Sequence, residues 1–322
     1  MKFTTKNLLS NRHIQTSYAT LFRKPFLKDW EIEEFTLSDG DFIEIYWQNR
    51  PKRSECKKIA ILFHGLAGSY KSPYIQGAVQ ELCNDGFACA VVHFRGCALK
   101  ENLLARSYHS GDTKDNLEYL EHIHKKYKAA KIYCVGYSLG ANMLLKLLGE
   151  EKQNSFITAA VGVSAPLQLE IAAKTIDSGG AKIYQKRLLD ELKISLLKKF
   201  KKFDFEKLIH LKEENVKNMK SIREFDELYT APIHGFSSAD DYYAKNSAKQ
   251  FLKYIETPTL IIQAKDDPFM TPEVLPKKEE ISKFITLEVS EKGGHVGFIE
   301  GNLFKPKYWL EKRIVEYFRL FA

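Results

Sequence analysis

The chain has 322 residues, 44% of them hydrophobic, with 18 Gly, 10 Pro, a formal charge of +8 and a pI near 9.0. That balance suits a globular unit with a sizeable core and excludes disordered or collagen-like chains. No run of about 18 apolar residues occurs, so no membrane-spanning helix is expected.

The opening "MKFTTKNLLSNRHIQTSYATLF" has no uninterrupted apolar stretch and no small-residue cleavage site. It reads as mature sequence rather than a signal peptide, with His13 expected to fasten an N-terminal arm. From Trp30, "WEIEEFTLSDGDFIEIYW" alternates on both sides of Ser38-Asp39-Gly40, the pattern of an antiparallel hairpin at a sheet edge. "KKIAILFHG" is too short for a helix and reads as a central strand. "SPYIQGAVQELCNDG" places Ile75, Ala78, Val79 and Leu82 at helical spacing, with Gly86 as a stop. "FACAVVHFRG" is a second buried strand, ending at Arg95, for which a structural ion pair is expected. In "YHSGDTKDNLEYLEHIHKKYK" acidic residues precede basic ones, as the helix dipole favours. His109 and Asp112 are expected to anchor the start of this helix, with Asp112 as its cap. His122 and His124, two apart, face different directions, so no metal pair is expected.

"AKIYCVGY" then reads as a strand, "SLGANMLLKLLGE" as a helix and "FITAAVGVSAP" as a strand. Strand and helix alternating at this spacing give right-handed βαβ units and a mostly parallel sheet. From about residue 167 to 251 the alternation stops, and a Lys-, Glu- and Leu-rich stretch shows helical spacing only. It resumes with "TPTLIIQAKDDP" and "ITLEVSEKGGH" as strands and "YWLEKRIVEYFRLF" as a helix. The expected organisation is one α/β unit over residues 1–322 with a helical insertion above the carboxyl ends of its strands, where open α/β sheets bind ligands. Much of the positive charge falls in "LKISLLKKFKKFDFEKLIHLK", Leu192 to Lys212. A solvated helix face is the expectation. Weak contact of Lys198 to Lys202 with a membrane surface is the alternative, and nucleic-acid binding is not expected because no groove-reading motif accompanies the charge. Cys56, Cys83, Cys89, Cys97 and Cys134 form no Cys-x-x-Cys pair. Neither disulfides nor zinc are expected, and a reducing cytoplasm is the simplest setting.

The chemistry is carried by "GYSLG", Gly136 to Gly140, where the strand turns into the helix. Gly-x-Ser-x-Gly in that setting is a nucleophile elbow: the serine hydroxyl stands clear of the sheet and the helix N-terminus supplies a free N–H at Leu139. A serine needs a base to take its proton and an acid to orient that base. "AKDDP" ends its strand with Asp266 and Asp267, and "KGGHVGF" offers His295 on a loop after two glycines. Counting from Ala264 favours Asp267 over Asp266 as the acid. A second oxyanion donor is expected at the N–H of Leu66 in "FHGLAGS", with the neighbouring His64 buttressing the loop rather than acting as base. Within the insertion, Phe200, Phe203, Phe205, Phe225 and Tyr229 are expected to line an acyl pocket.

With these residues in view, the chain resembles the α/β-hydrolase superfamily, and within it the YheT-like family related to the animal ABHD esterases and lipases. The likeness covers "NRHIQT", "HGLAGSYKSPY", "FRGCA", "YHSGDTKDN", "GYSLGANMLLKLLGE", "SIREFDELYTAPIHGFSSADDYY", "AKDDPFM" and "GGHVGF". It implies the α/β-hydrolase fold with a mostly parallel central sheet flanked by helices and a helical cap. It also implies a serine esterase with Ser138, Asp267 and His295 as its triad, a small-molecule or lipid ester as substrate, and no cofactor. His93, where the family commonly has Asn, and "CALKEN", where it has a glycine-containing stretch, lead us to expect a differently shaped loop after that strand.

Overall fold

A computed structural model describes residues 2–52 and 57–322; Cys56 lies outside them. Eight strands form one sheet in the order β1-β2-β4-β3-β5-β6-β7-β8. β1 (Glu31–Thr36) and β2 (Phe42–Gln48) make the antiparallel edge hairpin, and β2 also runs antiparallel to β4 (Ala88–Val92). β3 (Lys58–Phe63), β5 (Lys131–Tyr137), β6 (Ile157–Val163), β7 (Thr259–Ala264) and β8 (Ile285–Ser290) pair in parallel, with β3 joined to both β4 and β5. Because the chain leaves β3 first to one side and then to the other, the order reverses there, and a crevice opens at the carboxyl ends of β3 and β5.

The strands read as apolar runs because both faces are covered. On β5, Ile132 and Cys134 join the core layer that holds Leu120 and Ile123 of α3 (Thr113–Lys126) and Leu144 of α4 (Leu139–Glu151). Tyr133 and Val135 join the opposite layer, with Ile75 and Val79 of α2 (Pro73–Asn84) and Ile314 of the C-terminal helix Trp309–Arg319. Gly86, at φ +81°, ends the turn after α2 as the sequence predicts. Two N- and C-terminal elements escape the sequence reading: helix α1 (Arg12–Phe22), and a separate two-stranded ribbon of β9 (Ile299–Asn302) and β10 (Lys305–Tyr308).

Between β6 and β7 the described residues form only helices and turns: α5 (Leu169–Ile176), α6 (Lys182–Lys199), α7 (Phe205–Ile209), α8 (Glu213–Asn218), α9 (Ile222–Phe225), α10 (Ala231–Ile233) and α11 (Ala239–Asn246). Apart from α6 they are short, and side chains restart three of them. Asp204, Ser221 and Ser238 accept from the backbone N–H of Lys207, Glu224 and Asp241 at 3.2, 3.1 and 3.1 Å. Phe200, Phe203 and Phe205 pack within this segment's own apolar cluster.

The basic run is only partly a solvated face. Lys199 is buried, its Nζ donating to Asn102 Oδ1, Leu104 O and Arg106 O at 2.6, 2.8 and 3.0 Å. Lys202 pairs with Glu101 at 2.7 Å. One lysine of the expected membrane-contact stretch thus faces inward.

Candidate active site

Ser138 joins β5 to α4 with φ +52° and ψ −119°, a conformation that costs a non-glycine residue about 1–3 kcal/mol. Sterics enforce it. A Cβ on Gly136 would lie 2.5 Å from Gly140 O, and one on Gly140 would lie 2.5 Å from His64 O. Only glycines let strand, turn and helix approach this closely.

The loop after β8 brings His295 to the same point. Its Nε2 lies 2.9 Å from Ser138 Oγ and its Nδ1 lies 2.7 Å from Asp267 Oδ2. Asp267 is 1% exposed, and its other carboxylate oxygen accepts the Phe269 N–H at 2.8 Å. Asp266 instead accepts the Gly294 N–H at 3.0 Å, and burial raises its carboxyl pKa. Of the two candidates, it is Asp267 that meets the imidazole.

Four residues that position His295 gave no sequence signal of their own. Thr16 Oγ1 accepts the His295 N–H at 2.9 Å, and Ser164 Oγ accepts the Val296 N–H at 3.0 Å. Gln15 Oε1 accepts the Ile299 N–H at 2.7 Å. The Phe269 ring stacks on the imidazole with centroids 4.0 Å apart. Gln15 and Thr16 lie in "NRHIQT", so α1 clamps the histidine loop. A Gln and a Thr on a helix carry no pattern that would announce this. His13 Nδ1 lies 3.2 Å from the Tyr184 hydroxyl of α6, which ties the N-terminal helix to the insertion as well.

On the opposite side of Ser138, the loop after β3 is pinned around Leu66. Gly65 N–H donates to the Tyr74 hydroxyl and Ala67 N–H to the Tyr108 hydroxyl, both at 3.0 Å. Among the described residues, the N–H groups of Leu66 and Leu139 have no hydrogen-bond partner. Both residues line the same cavity as Ser138 and His295. His64 is fully buried, and burial pulls its pKa down to about 4. Nδ1 donates to Gly65 O at 2.7 Å while Nε2 accepts the Phe94 N–H at 3.3 Å, so the ring is a neutral buttress. His93 Nε2 accepts the Tyr70 N–H at 2.9 Å, so this residue braces the same loop.

Other expectations are adjusted. Arg95 forms the expected structural pairs, with Asp41 at 2.8 Å and Asp115 at 2.7 Å. Asp112 occupies the N-cap position of α3 but makes no side-chain cap bond. Its carboxylate faces Arg106 at 3.2 Å, and burial followed by Asp115 pushes its pKa up to about 7. The correction has a simple cause: the nearby guanidinium is a stronger partner for a buried carboxylate than a backbone N–H.

Two cavities meet at Ser138. The first, of about 310 Å³, lies under α5, α6 and α9; Phe225 and Tyr229 line it, whereas Phe200, Phe203 and Phe205 do not. Of the five aromatic residues expected to line a pocket, two line this cavity and the other three pack in the cap's own core. The second, of about 830 Å³, lies between α1 and α6.

Residues 60–302 match the family model described as the alpha/beta hydrolase fold. The Escherichia coli (strain K12) protein YheT is 42% identical over 310 residues, 96% of this chain and 90% of its own. The monoacylglycerol lipase of Saccharomyces cerevisiae is 27% identical over 274 residues, 83% of this chain but 60% of its own length. Among solved structures, the Pyrococcus furiosus esterase Pf2001 superposes with a TM-score of 0.58 at 15% identity, covering 99% of this chain and 98% of its own. Fold, elbow and whole-length similarity agree: the chain belongs to the α/β-hydrolase fold family, in the group that contains YheT.

Proposed function

We propose that this enzyme is a serine hydrolase of carboxylic esters with short to medium acyl chains, working through Ser138, His295 and Asp267. The observation that carries the reading is the 2.9 Å and 2.7 Å chain of contacts from the hydroxyl through the imidazole to a buried carboxylate. His295 Nε2 takes the Ser138 proton as Oγ attacks the ester carbonyl, and the N–H groups of Leu66 and Leu139 receive the oxyanion. Asp267 holds the ring through Nδ1 and balances its charge. His295 then gives its proton to the departing alcohol. Water, activated by the same imidazole, adds to the acyl-enzyme, and Ser138 recovers its proton as the acid leaves. Each oxyanion donor in such a site is worth about 2.7–4 kcal/mol.

The chain-length preference rests on the first cavity, whose volume of about 310 Å³ is near the lower end of the range of about 300–1,000 Å³ for ligand sites. The relative named monoacylglycerol lipase is in keeping with an ester substrate. A second reading, transfer of the acyl group to an alcohol instead of water, is favoured by the larger cavity beside Ser138. It agrees with a Saccharomyces cerevisiae relative, 28% identical over 324 residues, named medium-chain fatty acid ethyl ester synthase/esterase 2.

The test is turnover of p-nitrophenyl esters of increasing chain length, with and without ethanol, together with fluorophosphonate labelling. Wild type should hydrolyse the shorter esters and become labelled at Ser138, whereas Ser138→Ala should do neither. Labelling that persists in Ser138→Ala would defeat the assignment.

A further inference from the structure

Helix α6 lines both of the cavities that meet at Ser138. Ile183, Tyr184 and Arg187 line only the larger cavity, and Leu192, Ser195 and Leu196 line only the smaller one. Leu188 and Glu191, one helical step apart on the same face, line both. The other residues shared by the two cavities are Leu66, Ala67, Gly68, Ser138, Phe269 and His295, the nucleophile and its surroundings. Glu191 is thus the one carboxylate common to both linings, at the junction where the ester bond must sit.

Its ionic surroundings leave the charge in play. Arg187 Nε lies 3.1 Å from Glu191 Oε1, with the two side chains 66% and 41% exposed. An exposed pair of this kind contributes about 0–1 kcal/mol and does not extinguish the carboxylate's field. Arg95, which also lines the smaller cavity, is already matched by Asp39, Asp41 and Asp115. Asp226, on the cap wall of that cavity, accepts the Tyr243 hydroxyl at 2.8 Å, and burial raises its pKa to about 6, toward its neutral form. With Arg95 matched by its own acids, the carboxylate of Glu191 sets the sign of the charge facing an occupant of the acyl cavity. Beneath the junction, burial and then the neighbouring Cys97 raise the Tyr108 hydroxyl pKa, and Glu191 adds to that rise, so its field reaches the floor of the site.

We propose that Glu191 is a specificity-determining residue that separates the neutral ester from the anionic acid it yields. This rests on the ester-hydrolase reading above. The substrate carries no charge at its carbonyl. After water adds and the bond to Ser138 Oγ breaks, the acid loses a proton to solvent, because carboxylic acids titrate near pH 4. The new carboxylate then lies at the cavity junction opposite Glu191. Like charges facing one another in one cavity repel across partly solvated space, an effect expected to weaken acid binding roughly threefold to tenfold. The residue clears product from a mostly apolar cavity that would otherwise retain it.

The test compares the inhibition constant of hexanoate with KM for p-nitrophenyl hexanoate in wild type, Glu191→Gln, Arg187→Gln and, as a control on an exposed cap pair 2.6 Å apart, Glu213→Gln. Glu191→Gln should lower the ratio of inhibition constant to KM by about threefold to tenfold. Arg187→Gln should raise it, and Glu213→Gln should leave it as in wild type. A ratio within twofold of wild type in Glu191→Gln overturns the proposal while turnover sensitive to Ser138→Ala leaves the hydrolase reading standing. If wild type turns over no ester, that reading fails instead, and calorimetric binding of hexanoate to the same variants decides the role of Glu191 by itself.

Discussion

Below Ser138, β5 sends Ile132 and Cys134 into one apolar layer and Tyr133 and Val135 into the other, and every one of them is at most 1% exposed. Above it, α6 is fastened to the body by Lys199 Nζ, which donates to three oxygens of the segment 102–106. The sheet is held by many interchangeable apolar contacts, each buried side chain contributing about 1.5–3 kcal/mol. The cap has small apolar cores of its own and meets the body through a few specific polar pins, Lys199 and the Asn142–Asn246 contact at 2.8 Å among them. A serine in a strained turn needs the first kind of support, whereas a roof over a substrate cavity can rest on the second.

The sharpest way to break the contrast is at the elbow, where no side chain can yield. Gly140→Ala would drive a Cβ to within 2.5 Å of His64 O and 2.6 Å of Phe63 O, both backbone atoms at the end of β3. Overpacking typically costs 1–3 kcal/mol, and here the obstacle cannot rotate away, so a loss of about 3 kcal/mol or more is expected. Thermal denaturation should show one lowered transition for the whole unit, and esterase activity should vanish with it.

The cap should respond differently. Lys199→Met keeps the aliphatic stem but leaves Asn102 Oδ1 without its donor, for a loss of about 2–3 kcal/mol. Limited proteolysis should show faster cutting within the cap, while Lys201→Met, on an exposed side chain, should change nothing measurable. The pH dependence gives the sign. Burial holds Lys199 down to about 8, against an ordinary value of 10.5. Between those values the folded chain binds fewer protons than the unfolded chain, so the lysine's contribution to stability rises with pH. The deficit of Lys199→Met should therefore widen from pH 8 to pH 10. A deficit that shrank would show that the ammonium charge, rather than its hydrogen bonds, fastens the cap.

The same contrast explains what could be read from the sequence. The strands of the sheet and the long flanking helices are visible as apolar runs and helical spacing because burial alone dictates them. Ser138, Asp267 and His295 are visible because each sits beside glycines or at a strand end, where chain geometry narrows the choice of residue. The ribbon Ile299–Asn302 and Lys305–Tyr308 is not, since "IEGN" and "KPKY" bury only Ile299 and carry Pro306 and two lysines. The fate of Phe200, Phe203 and Phe205 is hidden for another reason: an aromatic residue filling a cap core and one lining a cavity look alike in sequence. The inward turn of Lys199 depends on oxygens about 95 residues away, and no local pattern encodes that.

The smallest expected effect tests whether α1 belongs with the rigid part of the site. Thr16 Oγ1 accepts the His295 N–H, and a Cβ on Gly294 would lie 2.7 Å from that same oxygen. Thr16→Val keeps the shape but removes the acceptor, for a loss of about 1 kcal/mol. Because that bond fixes the backbone of His295, kcat should fall about tenfold, the amount expected for about 1.4 kcal/mol of misplacement, with KM nearly unchanged. Thr16→Ser should restore the rate, since the oxygen returns without the methyl. If kcat and KM instead moved together, α1 would be shaping the substrate cavity it lines rather than holding the imidazole over Ser138.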